Sequence, residues 1–144
     1  MSSRPVALRK MRIAAPVQSA LDKHRNARHN RPVLSKELVA ASTVPLVLSV
    51  LTEGESYGYA LIQKVRALSG GKITWTEGML YPVLHWMEAE DLIESEWRVA
   101  ETGRKRKYYR LRKEGRKALQ TERLQWMTVH QTLTRIWKTR PSLT

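Results

Sequence analysis

Apolar residues recur at helical spacing in three successive segments of the chain. The first segment covers about residues 35–51 and contains Pro45, which we expect to kink the helix or to start a new one, because an internal proline removes a donor and clashes with the previous turn. The second covers about residues 58–68, and the third runs from Thr76, a favourable N-cap, to about residue 90. This pattern predicts three short helices.

Two runs of β-forming residues follow these helices. Residues 92–99 and 105–111 flank the polar turn Glu101-Thr102-Gly103. Tyr108 and Tyr109 alternate across the second run, so one of them is expected to be in the core. The two runs predict a β-hairpin.

A final helix is predicted from Lys113 onwards, with a different apolar pattern. Leu119, Trp126 and Leu133 lie seven residues apart, and Val129 and Ile136 occupy the alternate positions of the repeat. Such a stripe is narrow for a core helix and is typical of a helix that pairs with a partner helix. We therefore expect a dimer interface here.

The order of these elements indicates the fold. Three helices followed by a hairpin predict a mostly α fold with a small β-hairpin wing, an α+β arrangement known as the winged helix-turn-helix, here with a long C-terminal dimerisation helix. In this arrangement the third helix enters the major groove of DNA and the hairpin touches the flanking backbone. We predict an N-terminal arm at 1–34, a DNA-binding domain at 35–112 and a dimerisation helix with a short tail at 113–144.

Composition strengthens the case for a polyanionic partner. The 144 residues include 26 Lys and Arg against 13 Asp and Glu, a formal net charge of +13. A charge this positive favours nucleic acid first and an anionic membrane second. The length excludes a doubly wound enzyme or a barrel. The longest apolar stretch, residues 44–51, is too short to cross a bilayer, so we expect a soluble protein with no membrane partner.

The positive charge is concentrated in two places. Residues 1–32 hold eight Lys and Arg against Asp22 alone, which predicts a mobile basic arm or, alternatively, a solvated tail without a specific role. The hairpin carries four consecutive basic residues, Arg104, Lys105, Arg106 and Lys107, which suit phosphate neutralisation. A merely solvated turn is the alternative for this second cluster.

Four segments of the chain together resemble the PadR-type transcriptional regulators. They read SYGYAL at 56–61, EGMLYPVL at 77–84, LIESEW at 92–97 and GRKRKYYRL at 103–111. The resemblance covers about residues 36–137. It implies a bacterial, cytoplasmic, homodimeric repressor whose C-terminal helices build the dimer and which, in several members, a small molecule or stress signal releases from DNA.

The resemblance also implies which residues meet DNA. The exposed front of the recognition helix would comprise Thr76, Glu77, Gly78, Met79, Tyr81, Pro82 and His85. Tyr81 is the preferred DNA contact, and a half-buried packing tyrosine is its alternative. Tyr57 and Tyr59 carry the same two alternatives, and Gly58 between them would let the backbone approach a phosphate. Asp91 stands where family members usually carry glycine after the third helix, a left-handed position that Asp tolerates.

Trp126 has two interpretations. Its position is similar to that of a tryptophan which stacks on planar ligands in multidrug-sensing members of the family, and this makes it a candidate effector contact. The alternative is a dimer-core tryptophan, because aromatic residues at helical spacing are ordinarily core. The identity of an effector is not readable from the sequence.

Enzymatic readings find little support in the sequence. The chain has no cysteine, and its four histidines are scattered without a third ligand at metal spacing, so we expect no metal site, no cofactor and no catalytic residues. Three hypotheses remain: a sequence-specific dimeric repressor on an inverted-repeat operator, a winged-helix protein that binds nucleic acid without sequence choice, and a protein-interaction adaptor. The first is favoured.

Overall fold

A computed structural model describes residues 34–139 of the chain. Four helices and three strands follow one another: α1 (Lys36–Leu51), β1 (Ser56–Tyr57), α2 (Gly58–Leu68), α3 (Glu77–Ala89), β2 (Ile93–Val99), β3 (Lys105–Leu111) and α4 (Lys113–Thr139). The predicted mostly α fold with a β-hairpin wing is confirmed. Most of the predicted arm lies outside the described residues.

Helix α1 is the centre of the core. Its residues Val44, Val47 and Leu48 are fully buried, and the helix packs against α2, α3, β3 and α4. Ser35 caps the N-terminus, its hydroxyl accepting from the backbone N–H of Leu38. The helix is continuous through Pro45, so the expected second helix start is not present.

Helices α2 and α3 form the helix-turn-helix. Gly70 and Gly71, between them, have positive φ angles of 64° and 82°, a conformation that glycine adopts without steric cost. Thr76 caps α3 as predicted, its hydroxyl accepting from the backbone N–H of Met79 at 3.2 Å. Leu80, Leu84 and Met87 then face the core and leave the opposite side of α3 exposed.

The sheet has three antiparallel strands in the order β1-β3-β2. The hairpin of β2 and β3 is the predicted one, whereas β1 was not predicted because two residues show no alternation. The pairing of Tyr57 with Tyr108 joins the start of α2 to the hairpin. Tyr109 is the buried tyrosine of its strand, which confirms that one of the tyrosine pair is core.

Two backbone features connect α3, the hairpin and α4. Asp91 has a φ of 60°, so it adopts the left-handed conformation expected at this helix end. Gly115 in the first turn of α4 lies directly on the hairpin, where an added Cβ would collide with the carbonyl oxygen of Leu92. Ala118 is buried in the same core as α1, so the first half of α4 packs on the winged helix.

Candidate nucleic-acid interface

A cleft of about 770 Å³ separates the exposed front of α3 from the hairpin. It draws on three segments that are distant in sequence: the start of α2, the front of α3 and the hairpin. Its lining residues are Tyr57, Gly58, Tyr59, Glu77, Tyr81, His85, Trp97, Arg104, Lys105, Arg106, Lys107 and Tyr109. Nine of the thirteen residues predicted to bind DNA therefore meet at one surface.

Tyr81 combines features of both predicted roles, because it is exposed enough to contact DNA and also packs within the chain. Its side chain is 40 % exposed, and its ring lies on the α carbon of Gly58, where an added Cβ would stand 2.5 Å from the phenol oxygen. The space that glycine leaves at position 58 is thus occupied by Tyr81. Gly58 is buried beneath this ring and also lines the cleft, and its approach to a phosphate stays a prediction. The phenol of Tyr81 reaches the cleft beside Tyr59.

The remaining predicted residues of α3 divide by exposure. Thr76, Glu77, Gly78, Pro82 and His85 are exposed, whereas Met79 is partly buried against the core. Glu77 and His85 line the cleft. Because Pro82 has no N–H, the carbonyl oxygen of Gly78 lacks its usual helical donor and remains an acceptor at the exposed front.

The basic run occupies the start of β3 more than the tip of the hairpin. Arg104 belongs to the turn, whereas Lys105, Arg106 and Lys107 are strand residues. Lys107 already forms an ion pair within the chain, because its ammonium lies 3.3 Å from the carboxylate of Glu88 on α3. Glu88 also accepts a hydrogen bond from the Ser95 hydroxyl at 2.6 Å. That bond, and then Lys107, lower the pKa of Glu88 against the opposing effect of burial.

The outer face of the hairpin carries a ladder of ion pairs. Arg98 forms a bidentate pair with Glu55, which raises the arginine pKa and lowers that of the glutamate. Arg110 donates to Glu94 at 2.7 Å, and this bond lowers the pKa of Glu94. The ladder's ion pairs are Arg98 with Glu55 and Glu96, Arg110 with Glu94 and Glu96, and Arg112 with Glu94 and Glu114.

The hairpin's excess charge is therefore smaller than its composition suggests. Four of its seven basic residues are paired with carboxylates, and none of the ion pairs among residues 34–139 involves Arg104, Lys105 or Arg106. These three cations all line the cleft. The part of the hairpin's positive charge that has no carboxylate partner thus lies beside α3.

Two tyrosines and two arginines form a stack that leads from the outer face to the cleft. The Arg98 guanidinium lies over the Tyr108 ring at 4.8 Å, and the Arg106 guanidinium lies over the Tyr57 ring at 4.5 Å. The two rings meet edge to face with centroids 5.4 Å apart. Such contacts orient a guanidinium and stabilise it modestly. Tyr57 therefore supports Arg106 at the edge of the cleft.

Trp97 is a cleft residue that the sequence reasoning missed. Its side chain is 64 % exposed and lies opposite Lys107 on the neighbouring strand. The period-two alternation of β2 was a usable signal, since it places Trp97 on the same face of the hairpin as Ser95 and Ile93. The seven basic residues of the hairpin are a stronger signal in the sequence than this single aromatic residue.

The apolar stripe of α4 begins in the core and continues outside it. Leu119 is partly buried against the core of its own chain, whereas Val129, Leu133 and Ile136 are 56 %, 40 % and 47 % exposed. Trp126 lies between them, partly buried, with its indole N–H donating to the buried Glu122 at 3.2 Å. The second half of α4 thus presents apolar side chains to solvent.

Two further findings bear on the class of protein. Within residues 34–139, no helix has the length and apolar character that crossing a membrane requires. In the same range, no group of three or more histidine or carboxylate side chains is placed to hold a metal ion.

Comparison with protein families gives one matching family. The model of the transcriptional regulator PadR-like family matches residues 47–121, which run from the second half of α1 into α4. The matched range contains every residue that lines the cleft.

Several solved structures resemble the chain. A transcriptional regulator from Clostridium thermocellum is 27 % identical, with a TM-score of 0.65, over 72 % of this chain and 97 % of its own. A PadR-like transcriptional regulator from Bacillus cereus is 29 % identical, with a TM-score of 0.62, over 70 % and 96 %. A PadR family transcriptional regulator from Eggerthella lenta is 28 % identical, with a TM-score of 0.61, over 89 % and 98 %.

Proposed function

The chain belongs to the PadR-like family of transcriptional regulators, and we propose that it acts in the bacterial cytoplasm as a homodimeric repressor that binds an inverted-repeat operator. One observation carries the proposal: the exposed front of α3 and the three unpaired cations of the hairpin face the same cleft. Glu77, Tyr81 and His85 would meet base edges in the major groove. Arg104, Lys105 and Arg106 would neutralise phosphates beside it.

The charge distribution favours specific binding over purely electrostatic binding. Residues 34–139 contain 17 Lys and Arg and 12 Asp and Glu, and most of the carboxylates near the hairpin hold arginines in place. A surface built only for non-specific binding gains from every free cation. On the hairpin, the ion pairs among residues 34–139 leave only Arg104, Lys105 and Arg106 without a carboxylate. Hydrogen-bonding side chains of α3 stand beside these three cations, as base readout requires.

The exposed stripe of α4 supports a two-fold dimer. Val129, Leu133 and Ile136 would be buried against the same residues of a second copy, with Trp126 at the centre and Leu119 at the edge of the contact. A two-fold dimer carries two recognition helices, so its operator would be an inverted repeat. The half-sites would lie about one helical turn, ~34 Å, or a multiple of it apart.

The proposed switch acts at this interface. A small molecule that stacks on Trp126 would release DNA only to the extent that it favours a dimer geometry unable to span both half-sites. The bond between the indole of Trp126 and Glu122 holds the ring in one orientation, as a stacking platform needs, and it serves a dimer-core tryptophan equally well. Ligand titration of Trp126→Phe and Trp126→Ala separates the two roles, because a core role predicts weaker dimers without any change in ligand response.

The division of the chain follows from this proposal. Residues 35–112 would bind DNA, residues 113–144 would build the dimer, and the basic residues of 1–34 would extend the electrostatic footprint on the duplex. Deleting residues 2–32 tests the last part. If the segment contacts phosphates, the deletion lowers both operator affinity and the salt slope. An unchanged slope removes the arm from the DNA interface.

Fluorescence anisotropy over a salt series tests the proposed function. The full chain is titrated with the duplex upstream of its own gene and with a scrambled duplex of the same composition. A specific repressor binds the native duplex at least ~10³-fold more tightly at physiological salt. The operator can also lie elsewhere than upstream of the protein's own gene. A genome-wide footprint with the same protein therefore completes the test.

Two results would contradict the proposal. Equal binding of both duplexes with a steep salt slope, together with a footprint that shows no preferred sequence, would favour a non-specific nucleic-acid-binding protein. Absence of binding at low salt would leave the protein-interaction module as the remaining function.

A further inference from the structure

The hairpin exposes two apolar side chains near its tip. Trp97 is 64 % exposed and Val99 is 66 % exposed, and together with Arg98 and Lys105 they line a shallow depression of about 540 Å³. An exposed tryptophan two residues from an exposed valine forms an apolar patch at the end of an otherwise charged hairpin. A patch in such a place is typical of a contact surface.

The register of the hairpin shows which way this patch faces. Val99 pairs with Lys105 and Trp97 pairs with Lys107, so all four side chains lie on one face of the sheet. On the same face, Ser95 bonds Glu88 of α3. The patch therefore continues the surface that covers α3, whereas the ion-pair ladder occupies the opposite face.

The position of the patch fits a specific part of a bound duplex. Val99 lies four positions along the strand from Ser95, which touches α3, and in a strand this is a reach of roughly 13 Å. The centre of the neighbouring minor groove lies half a helical turn, about 17 Å, from the centre of the major groove that α3 would read. Arg104 and Lys105 stand beside the patch and form no ion pair with a carboxylate of residues 34–139, so a phosphate backbone complements its rim.

We propose that Trp97 and Val99 form an apolar contact strip that packs on the sugars and base edges of the minor groove next to the segment read by α3. The inference rests on the proposed function and adds a contact to it. The minor groove is about 6 Å wide, which admits single side chains, and apolar side chains are used there by other DNA-binding proteins. The strip would make binding depend on the width and deformability of the flanking sequence.

The salt dependence of operator affinity tests the strip. An apolar contact displaces no counterion, whereas a lysine on a phosphate displaces about one. Trp97→Ala should therefore weaken binding about ten-fold with an unchanged salt slope, and Val99→Ala should do the same to a smaller extent. Lys105→Ala should reduce the slope by about one. Leu68→Ala is the matched control, because Leu68 is 68 % exposed and lies outside the cleft.

Insertion of a charge gives a second test, because the apolar strip and a purely electrostatic rim predict changes in DNA affinity of opposite sign. Trp97→Lys adds a cation to a surface that faces phosphates. If the strip packs on sugars and base edges, this variant binds more weakly than the wild-type chain. If the site is only an electrostatic rim, it binds more tightly, and the strip is wrong.

Inosine substitution assigns the groove. Replacing guanine by inosine in the flanking base pairs removes an amino group from the minor groove and leaves the major-groove edge unchanged. The wild-type chain should respond to this replacement, and the response should be lost in Trp97→Ala. An equal response of both proteins would overturn the assignment.

The remaining outcomes separate this inference from the proposed function. Unchanged affinity of Trp97→Ala, with a wild-type chain that binds its operator, overturns the strip alone. Light scattering that shows a changed oligomeric state in Trp97→Ala assigns the patch to a second copy of the chain and also overturns it. A wild-type chain that binds no duplex overturns both. Thermal unfolding of each variant confirms that an exposed side chain was removed without loss of the fold.

Discussion

At the scale of single residues, neighbours decide between the roles that a residue type allows. Tyr57 was predicted to contact DNA or to pack, and in the structure its ring contacts both Tyr108 and the Arg106 guanidinium. Tyr57 would then contribute to DNA binding indirectly. Its ring holds Arg106, which forms no ion pair among residues 34–139, at the edge of the cleft. Tyr81 is supported in a similar way by Gly58.

Substitution of Tyr57 tests this indirect role. Tyr57→Phe keeps the ring and should leave operator affinity almost unchanged. Tyr57→Leu removes the ring, and we expect it to weaken binding about as much as Arg106→Ala, by roughly three- to ten-fold, on the scale of a cation–π contact. Anisotropy with both single variants and the double variant measures the coupling. Additive effects, or a large loss in Tyr57→Phe, would show that the tyrosine contacts DNA by itself.

Glu88 should make the stability of the fold sensitive to acid. Its pKa is lowered in the folded state, chiefly by the hydrogen bond from Ser95 and then by Lys107. A lowered folded-state pKa stabilises the fold at pH values above the ordinary 4.5, and this contribution is lost as the pH falls through the lowered value. Glu88→Gln should therefore lower the free energy of unfolding near neutral pH and differ less from the wild type toward pH ~3.

Urea unfolding between pH 3 and pH 7 measures this difference. The matched control is Glu101→Gln, since Glu101 lies exposed in the hairpin turn and has no ion pair among residues 34–139. A gap between Glu88→Gln and the wild type that stays constant with pH would contradict the assignment.

At the scale of elements, periodicity predicted the helices and the hairpin well, and lateral pairing could not be predicted. Helix α2 spans the predicted residues 58–68. Strand β1 was missed because two residues show no alternation and because its partner strand is about fifty residues away in the sequence. The bidentate pair of Glu55 and Arg98 was missed because its members are 43 residues apart. Pro45 was expected to kink α1 or to start a new helix, but α1 runs through it as one helix, with Val44, Val47 and Leu48 buried around it.

The candidate site likewise has parts that the sequence predicted and parts that it could not predict. The front of α3 and the basic run were read from sequence because each is contiguous. The cleft between them depends on which face of β3 meets α3, and on which cations the carboxylates of the hairpin already hold. Neither is encoded locally, so the free state of Arg104 was visible only in three dimensions. Strand alternation indicated the face on which Trp97 lies, but not that this face lines the cleft.

Two glycines at the starts of helices should respond oppositely to alanine. Gly115→Ala would drive a Cβ into the carbonyl oxygen of Leu92, a backbone atom that also accepts from the N–H of Arg112. We expect a loss of about 1–3 kcal/mol or more, since α4 must shift on the hairpin. Gly78→Ala meets only Thr76 Oγ1 at 4.0 Å, and should raise stability by up to ~1 kcal/mol through helix propensity.

Chemical denaturation of both variants checks this pair. Equal effects of the two substitutions would mean that α4 does not rest on the hairpin as the structure has it. Because Gly78 is at the front of α3, its variant also reports whether a methyl group there weakens operator binding while the fold gains stability.

At the scale of the whole molecule, the apolar stripe of α4 has two different surroundings. Its first half packs on α1, with Ala118 in the core and Leu119 against it. Its second half carries Val129, Leu133 and Ile136 in the same stripe, and nothing in the described chain covers them. A rigid helix that begins in one winged helix and ends in a subunit contact would transmit the geometry of the dimer directly to α3.

A charge in the second half of the stripe should therefore abolish dimers and specific DNA binding together. Leu133→Glu places a carboxylate where the second copy would pack, and we expect a monomer by light scattering. Loss of the second recognition helix should reduce affinity for the full inverted repeat by at least ~100-fold and leave the weak affinity for a single half-site unchanged. Leu124→Glu is the matched control, because Leu124 is 69 % exposed on the opposite side of α4. A dimeric Leu133→Glu variant, or a monomeric variant that keeps full-site affinity, would contradict the proposed assembly, since two-fold symmetry is what joins the stripe to the spacing of the half-sites.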